Sequence, residues 1–203
     1  LIFKPMKRII ALVFLTVILC LSAQAQSHLT FLGIPIDGDA YSFCNKLKKK
    51  GFIDNSLSNR YYEDGVFFIG DFRGYNANVF LGWNGKTRKV CTVTLTMKIY
   101  NASECKSFVN YFLKEYESNY TIEKIPTKKR GFSEILFNVY EKGFSYGFLN
   151  RLLPSSWFSP VGEIDLIFYS DSVDDDEYSL LITFNDMANS EPGTASCPPV
   201  QLE

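Results

Sequence analysis

The run Val90-Cys91-Thr92-Val93-Thr94-Leu95-Thr96-Met97-Lys98-Ile99 decides the fold class. Cys91, Val93, Leu95 and Met97 alternate with Thr92, Thr94 and Thr96, the period of a strand with one buried face, so Cys91 is expected to point inward. Immediately after it the period changes. Asn101 can cap a helix, Glu104 stands where a capping box wants an acid, and Cys105, Phe108, Val109, Phe112 and Tyr116 form one helical stripe that Asn119 ends. A half-buried strand followed by an amphipathic helix points to an α+β fold with a mostly antiparallel sheet, rather than to alternating parallel units.

Working toward the N-terminus, two further β-rich runs precede this strand, at 66–72 and 77–83, with Gly74 and the pair Asn84-Gly85 between the three. The Asn-Gly pair predicts a tight hairpin turn. Before them, Ala40, Phe43, Cys44 and Leu47 recur at helical spacing behind the cap Asp37-Gly38-Asp39; Lys46 and Lys48 to Lys50 suit the negative end of the dipole, and Gly51 stops the helix. Toward the C-terminus come β-rich runs at 134–140, 144–149, 163–169 and 178–185. The order is helix, three strands, helix, three or four strands: one αβββ unit used twice as elements, with negligible residue identity between the halves 29–100 and 101–187. Both helices are expected on one face of the sheet.

The ends carry a different message. Met6-Lys7-Arg8 reads as the true start, 9–21 as a short apolar core, and Ala23-Gln24-Ala25 as a small-x-small cleavage site, so residues 1–25 are expected to be a signal peptide. The mature chain then has no membrane span. Val17-Ile18-Leu19 before Cys20 lacks the small residues of lipoprotein processing, which makes lipid anchoring the minor reading beside soluble release to the periplasm or the exterior. Residues 26–190 read as a single α+β domain and 191–203 as a disordered tail. Of the chain's 21 basic residues three fall in the leader, leaving a charge of −4 against 22 acidic residues, which argues against nucleic acid as a partner.

Catalytic constellations are sparse. His28 is the sole histidine and lies next to the mature N-terminus, an improbable place for a preorganised base. No cofactor is expected, as the sequence has neither a Gly-rich phosphate loop nor cysteines at zinc-ligand spacing. Asp174, Asp175 and Asp176 are a weak calcium candidate that reads better as a solvated turn, as does the basic run Lys128-Lys129-Arg130. Cys44, Cys91 and Cys105 sit at core-facing positions, so a Cys44–Cys91 bridge in an oxidising compartment stands against buried free thiols. Leu153, Trp157 and Phe158, gathered with prolines in 152–160, form the candidate recognition loop.

Phe31-Leu32-Gly33-Ile34-Pro35-Ile36-Asp37-Gly38, Lys50-Gly51-Phe52, Gly70-Asp71-Phe72-Arg73-Gly74 and Ile182-Thr183-Phe184-Asn185-Asp186 resemble a recurring group of exported Bacteroidota proteins to which no activity is assigned. The resemblance spans nearly the whole mature chain and implies location and fold, not a reaction; the hydrophobic stretch 152–160 is longer than the group's pattern. The functional expectation is a non-enzymatic module that binds an envelope protein, peptide or glycan, with tandem αβββ inhibitor proteins as a fold-level analogy only. The alternatives are a small glycan hydrolase using two of Glu63, Asp64, Asp71, Glu163 and Asp165, and a purely structural envelope protein.

Overall fold

A computed structural model describes residues 28–55, 64–125, 133–141, 160–170, 178–187 and 189. Two short strands, β1 (Thr30–Phe31) and β2 (Ile34–Pro35), pair around Leu32-Gly33 and lead to helix α1 (Ala40–Lys49). Strands β3 (Ile53–Asp54), β4 (Gly65–Phe72), β5 (Tyr75–Trp83) and β6 (Val90–Ile99) follow. The pattern then recurs as α2 (Ala102–Asn119), β7 (Tyr120–Ile125), β8 (Ser133–Glu141), β9 (Gly162–Ser170) and β10 (Tyr178–Asp186). The chain is therefore α+β, with an eight-stranded antiparallel sheet in the order β3-β4-β5-β6-β10-β9-β8-β7.

Among the described residues each helix precedes four strands, where three were expected after the first and three or four after the second; the expected strand at 144–149 lies outside the described residues. The added strands lie at the two edges of the sheet, where the pattern is weakest: β3 has two exposed residues, and β7 mixes Glu123 and Lys124 into a short β-prone stretch. The last strands of the two sets, β6 and β10, pair at the centre of the sheet from Tyr178↔Ile99 to Asn185↔Thr92.

The helix caps follow local chemistry. Asp39 Oδ1 accepts the Ser42 N–H at 3.0 Å and Asn101 Oδ1 accepts the Glu104 N–H at 2.7 Å, each satisfying a first-turn donor. The stripes Phe43 and Leu47 of α1 and Cys105, Phe108, Val109, Phe112 and Tyr116 of α2 enter one continuous cluster. It also holds Val93, Leu95 and Met97 of β6 and Leu180, Ile182 and Phe184 of β10. Phe31 joins it from the N-terminal hairpin, its ring stacked on Phe72 at 5.7 Å and edge-on to Phe184 at 5.5 Å.

Two turns differ from expectation. The tight hairpin is Arg73-Gly74, with φ of 58° and 88° between the paired Phe72 and Tyr75, the two positive values a two-residue primed turn requires. Asn84-Gly85 instead opens a wider loop: Asn84 Oδ1 accepts the N–H groups of Lys86 and Thr87, and the Asn84 carbonyl accepts from Arg88 at 2.8 Å. That loop ends in a register shift at Gly82/Trp83, where Thr92 faces Gly82 and Val90 faces Trp83, leaving Cys91 unmatched in the ladder. Val90 thus joins the helix-covered cluster, whereas Cys91, though buried, lies outside it.

Gly162 shows why one small residue is demanded. A Cβ there would stand 2.3 Å from the Asn185 carbonyl oxygen and 2.5 Å from Leu29 Cδ1, so no rotamer change relieves it. Gly162→Val is expected to cost about 1–3 kcal/mol by overpacking, read from the urea midpoint at unchanged slope.

Candidate binding site

Three segments distant in sequence meet at a small cleft. The β1–β2 turn supplies Thr30, Leu32 and Gly33, the β4–β5 turn supplies Phe72 and Arg73, and the end of α2 with the first residue of β7 supplies Glu115, Tyr116, Asn119 and Tyr120. Leu32 and Arg73 both occupy the left-handed backbone region, φ 53° and 58°, where non-glycine residues are uncommon. The cavity measures about 100 Å³, room for one side-chain head group and not for a drug-sized ligand.

Arg73 dominates its electrostatics. Its guanidinium pairs with Glu115 through Nη2 and lies over two rings, 5.5 Å from the centroid of Phe72 and 5.0 Å from that of Tyr111. Its Nε is buried and finds no hydrogen-bond partner among the described residues. Tyr111, 61% exposed, lies against the Arg73 guanidinium beside the cleft and is not part of its lining. The floor is made of donors already committed: Tyr116 Oη donates to the Thr30 carbonyl at 2.6 Å and Tyr120 Oη to the His28 carbonyl at 3.0 Å. Burial raises the pKa of both phenols, so they remain protonated. The cleft offers a fixed cation, a buried N–H that has no partner among the described residues, and aromatic walls. Among its described lining residues no nucleophile stands beside a base.

Other expected residues fall elsewhere. His28 is held rather than loose: its Nδ1 lies 3.2 Å from Asp186 Oδ1, and Asp186, fully buried, also accepts the Leu29 N–H at 2.9 Å. The Cys44–Cys91 bridge is not formed. Cys44 and Cys105 are free thiols, both pushed up to about 11 by burial and so poor nucleophiles, while Cys91 is in a disulfide whose partner lies outside the described residues. The bulge explains the correction, because it takes Cys91 off the core face on which Cys44 was expected to meet it.

Among the carboxylates, Asp64 and Asp71 flank opposite ends of β4, and Asp71 accepts the Gly74 N–H of the turn at 3.2 Å. Glu163 and Asp165 are two apart on β9 and share a sheet face instead of opposing one another across a cleft. Glu63, Leu153, Trp157, Phe158, Asp174, Asp175 and Asp176 lie outside the described residues. Among those described, no group of three or more His, Cys, Asp or Glu could hold a metal ion, and no helix is long and apolar enough to cross a membrane.

Sequence reasoning passed over Arg73, Tyr111 and Glu115. One signal was available, since Tyr111 falls out of phase with the α2 stripe and is a large aromatic on the polar side. Comparison of the chain with protein-family models, with curated proteins and with solved structures finds no match.

Proposed function

We propose that this chain is an exported, non-enzymatic module that binds an envelope protein or peptide through the Arg73 cleft and the exposed Tyr111 stacked on Arg73. The observation that carries the reading is the buried Arg73 Nε, which lacks a partner among the described residues beside a cavity of side-chain size. Burying a charged donor without an acceptor costs about 1–3 kcal/mol, which a carboxylate or carbonyl inserted by a partner would recover. Arginine and tyrosine are also the residues that most often dominate protein interfaces, and here they stack on one another. Export is supported by the leader pattern, by the resemblance to exported Bacteroidota proteins, and by the disulfide at Cys91, a bond that persists in oxidising compartments.

The test compares wild-type residues 26–203 with Tyr111→Ala and Arg73→Ala in capture from an envelope extract, followed by titration of the captured partner. Tyr111 is exposed, so its removal should change stability by no more than about 0.5 kcal/mol. Both variants are expected to weaken binding about tenfold or more, a loss of about 1.4 kcal/mol or greater. Equal capture by wild type and Tyr111→Ala would remove the cleft from the interface.

A further inference from the structure

On the reading that the Arg73 cleft is a binding site, we infer that it selects a peptide carboxylate and that Glu115 is the internal placeholder which this carboxylate displaces. A guanidinium presents its donors in a fixed fork, with Nε–H and one Nη2 hydrogen parallel along one edge and spaced to meet both oxygens of a carboxylate. In Arg73 that edge is half used. Glu115 takes Nη2 through Oε2, while Nε has no partner among the described residues. The two halves also differ in surroundings: the Glu115 side chain is 47% exposed, whereas Nε is buried. Glu115 therefore leaves the inner donor of the fork to whatever enters the cleft.

The cation does not depend on Glu115 for its position. Its guanidinium lies over the rings of Phe72 and Tyr111, at 5.5 and 5.0 Å. Its backbone is set by the pairing of Phe72 with Tyr75 and by Asp71 Oδ1, which accepts the Gly74 N–H at 3.2 Å. A half-exposed carboxylate on a long side chain is held weakly by comparison, because solvent screens the pair and ordering the side chain opposes it. Glu115 can thus leave for water while the fork stays in place.

The lining selects among acceptors. Arg73 is the single cation in it, so a monoanion is matched, whereas the second charge of a phosphate would face Glu115 uncompensated. A neutral carbonyl fills Nε alone and has no charge with which to compete for Nη2. The cavity of about 100 Å³ takes one head group, and an acidic side chain and a chain terminus offer it the same two oxygens.

The experiment follows the proton–nitrogen cross-peak of Arg73 Nε in the isotope-labelled, full-length exported protein, assigned by its loss in Arg73→Lys, with the exposed Arg88 as internal control. Three peptides are titrated through the millimolar range at constant ionic strength: acetyl-Gly-Asp-Gly-amide, acetyl-Gly-Asn-Gly-amide, and acetyl-Gly-Asn-Gly with a free C-terminal carboxylate. The expected result is a saturable shift of Arg73 and not of Arg88 with one or both carboxylate peptides, and none with the neutral peptide. Which carboxylate peptide binds identifies the side chain or the terminus as the source. Glu115→Gln should tighten that binding about tenfold, as removing a competitor that holds the edge about nine-tenths of the time does. Equal binding of the neutral peptide, or no shift with any peptide, overturns the carboxylate assignment. Carboxylate binding that Glu115→Gln leaves unchanged or weakens overturns the placeholder. The binding-module reading fails on a different result, equal envelope capture by wild type and Tyr111→Ala.

Discussion

Phe184→Ala is expected to lower the unfolding free energy by about 3–5 kcal/mol, the range for removing a fully buried phenylalanine that its surroundings cannot refill. Phe184 is 0% exposed and its ring is the meeting point of three elements: Phe31 of the N-terminal hairpin at 5.5 Å, Phe112 at 5.9 Å and Tyr116 at 5.6 Å on α2. On the sheet it sits opposite Val93 and Ile164, both fully buried. Collapse into the cavity would need the hairpin, the helix and the sheet to move together, which is why the upper part of the range applies. Urea unfolding of the oxidised protein at constant slope measures the loss, and a change below about 1 kcal/mol would show that the aromatic cluster is not packed as described.

Asp186→Ala should cost about 3 kcal/mol, through a different cause. The carboxylate is fully buried and holds the N-terminal strand to the end of β10, accepting from the N–H groups of Leu29 and Asn189 and facing His28, with Tyr120 as a further titratable group that feels its charge. Alanine leaves backbone donors without acceptors, each worth about 1–3 kcal/mol when buried. The same site predicts a pH dependence. Burial raises the Asp186 pKa above its ordinary 3.8, outweighing the hydrogen bonds and His28, which pull it down. A carboxyl that binds its proton more tightly when folded contributes its full stabilisation below the unfolded value, and that contribution is lost as pH rises from about 3.8 through the folded pKa. In a His28→Gln background, so that the carboxyl alone titrates, the stability difference between Asp186 and Asp186→Asn should fall across that window and then level. A difference that rises with pH instead would mean that the hydrogen bonds outweigh burial.

The two caps, the stripe of α2 and the alternation of β6 were legible because each depends on residues within a few positions of one another. Asn101 and Glu104 meet whatever the rest of the chain does, and Val93, Leu95 and Met97 share a face by the geometry of a strand alone. The candidate site was legible only in fragments. Arg73 stands in the motif Gly70-Asp71-Phe72-Arg73-Gly74 and Tyr111 breaks the phase of its helix, but nothing in either stretch announces the other, or Thr30, or Glu115.

What the sequence determined by itself was the α+β class, the two helices and the main strands, since hydrophobic period is a local property that burial then rewards. Tertiary structure alone decided the rest. The edge strands β3 and β7 are too short or too polar to declare themselves and exist because β4 and β8 offer them unpaired backbone groups. The β6–β10 seam joins segments some eighty residues apart through contacts that no local pattern encodes. Cys91 reads as a core residue by period, and it leaves the core because the register across to β5 shifts by one residue at Gly82/Trp83, a shift that turns a side chain to the other face of a strand.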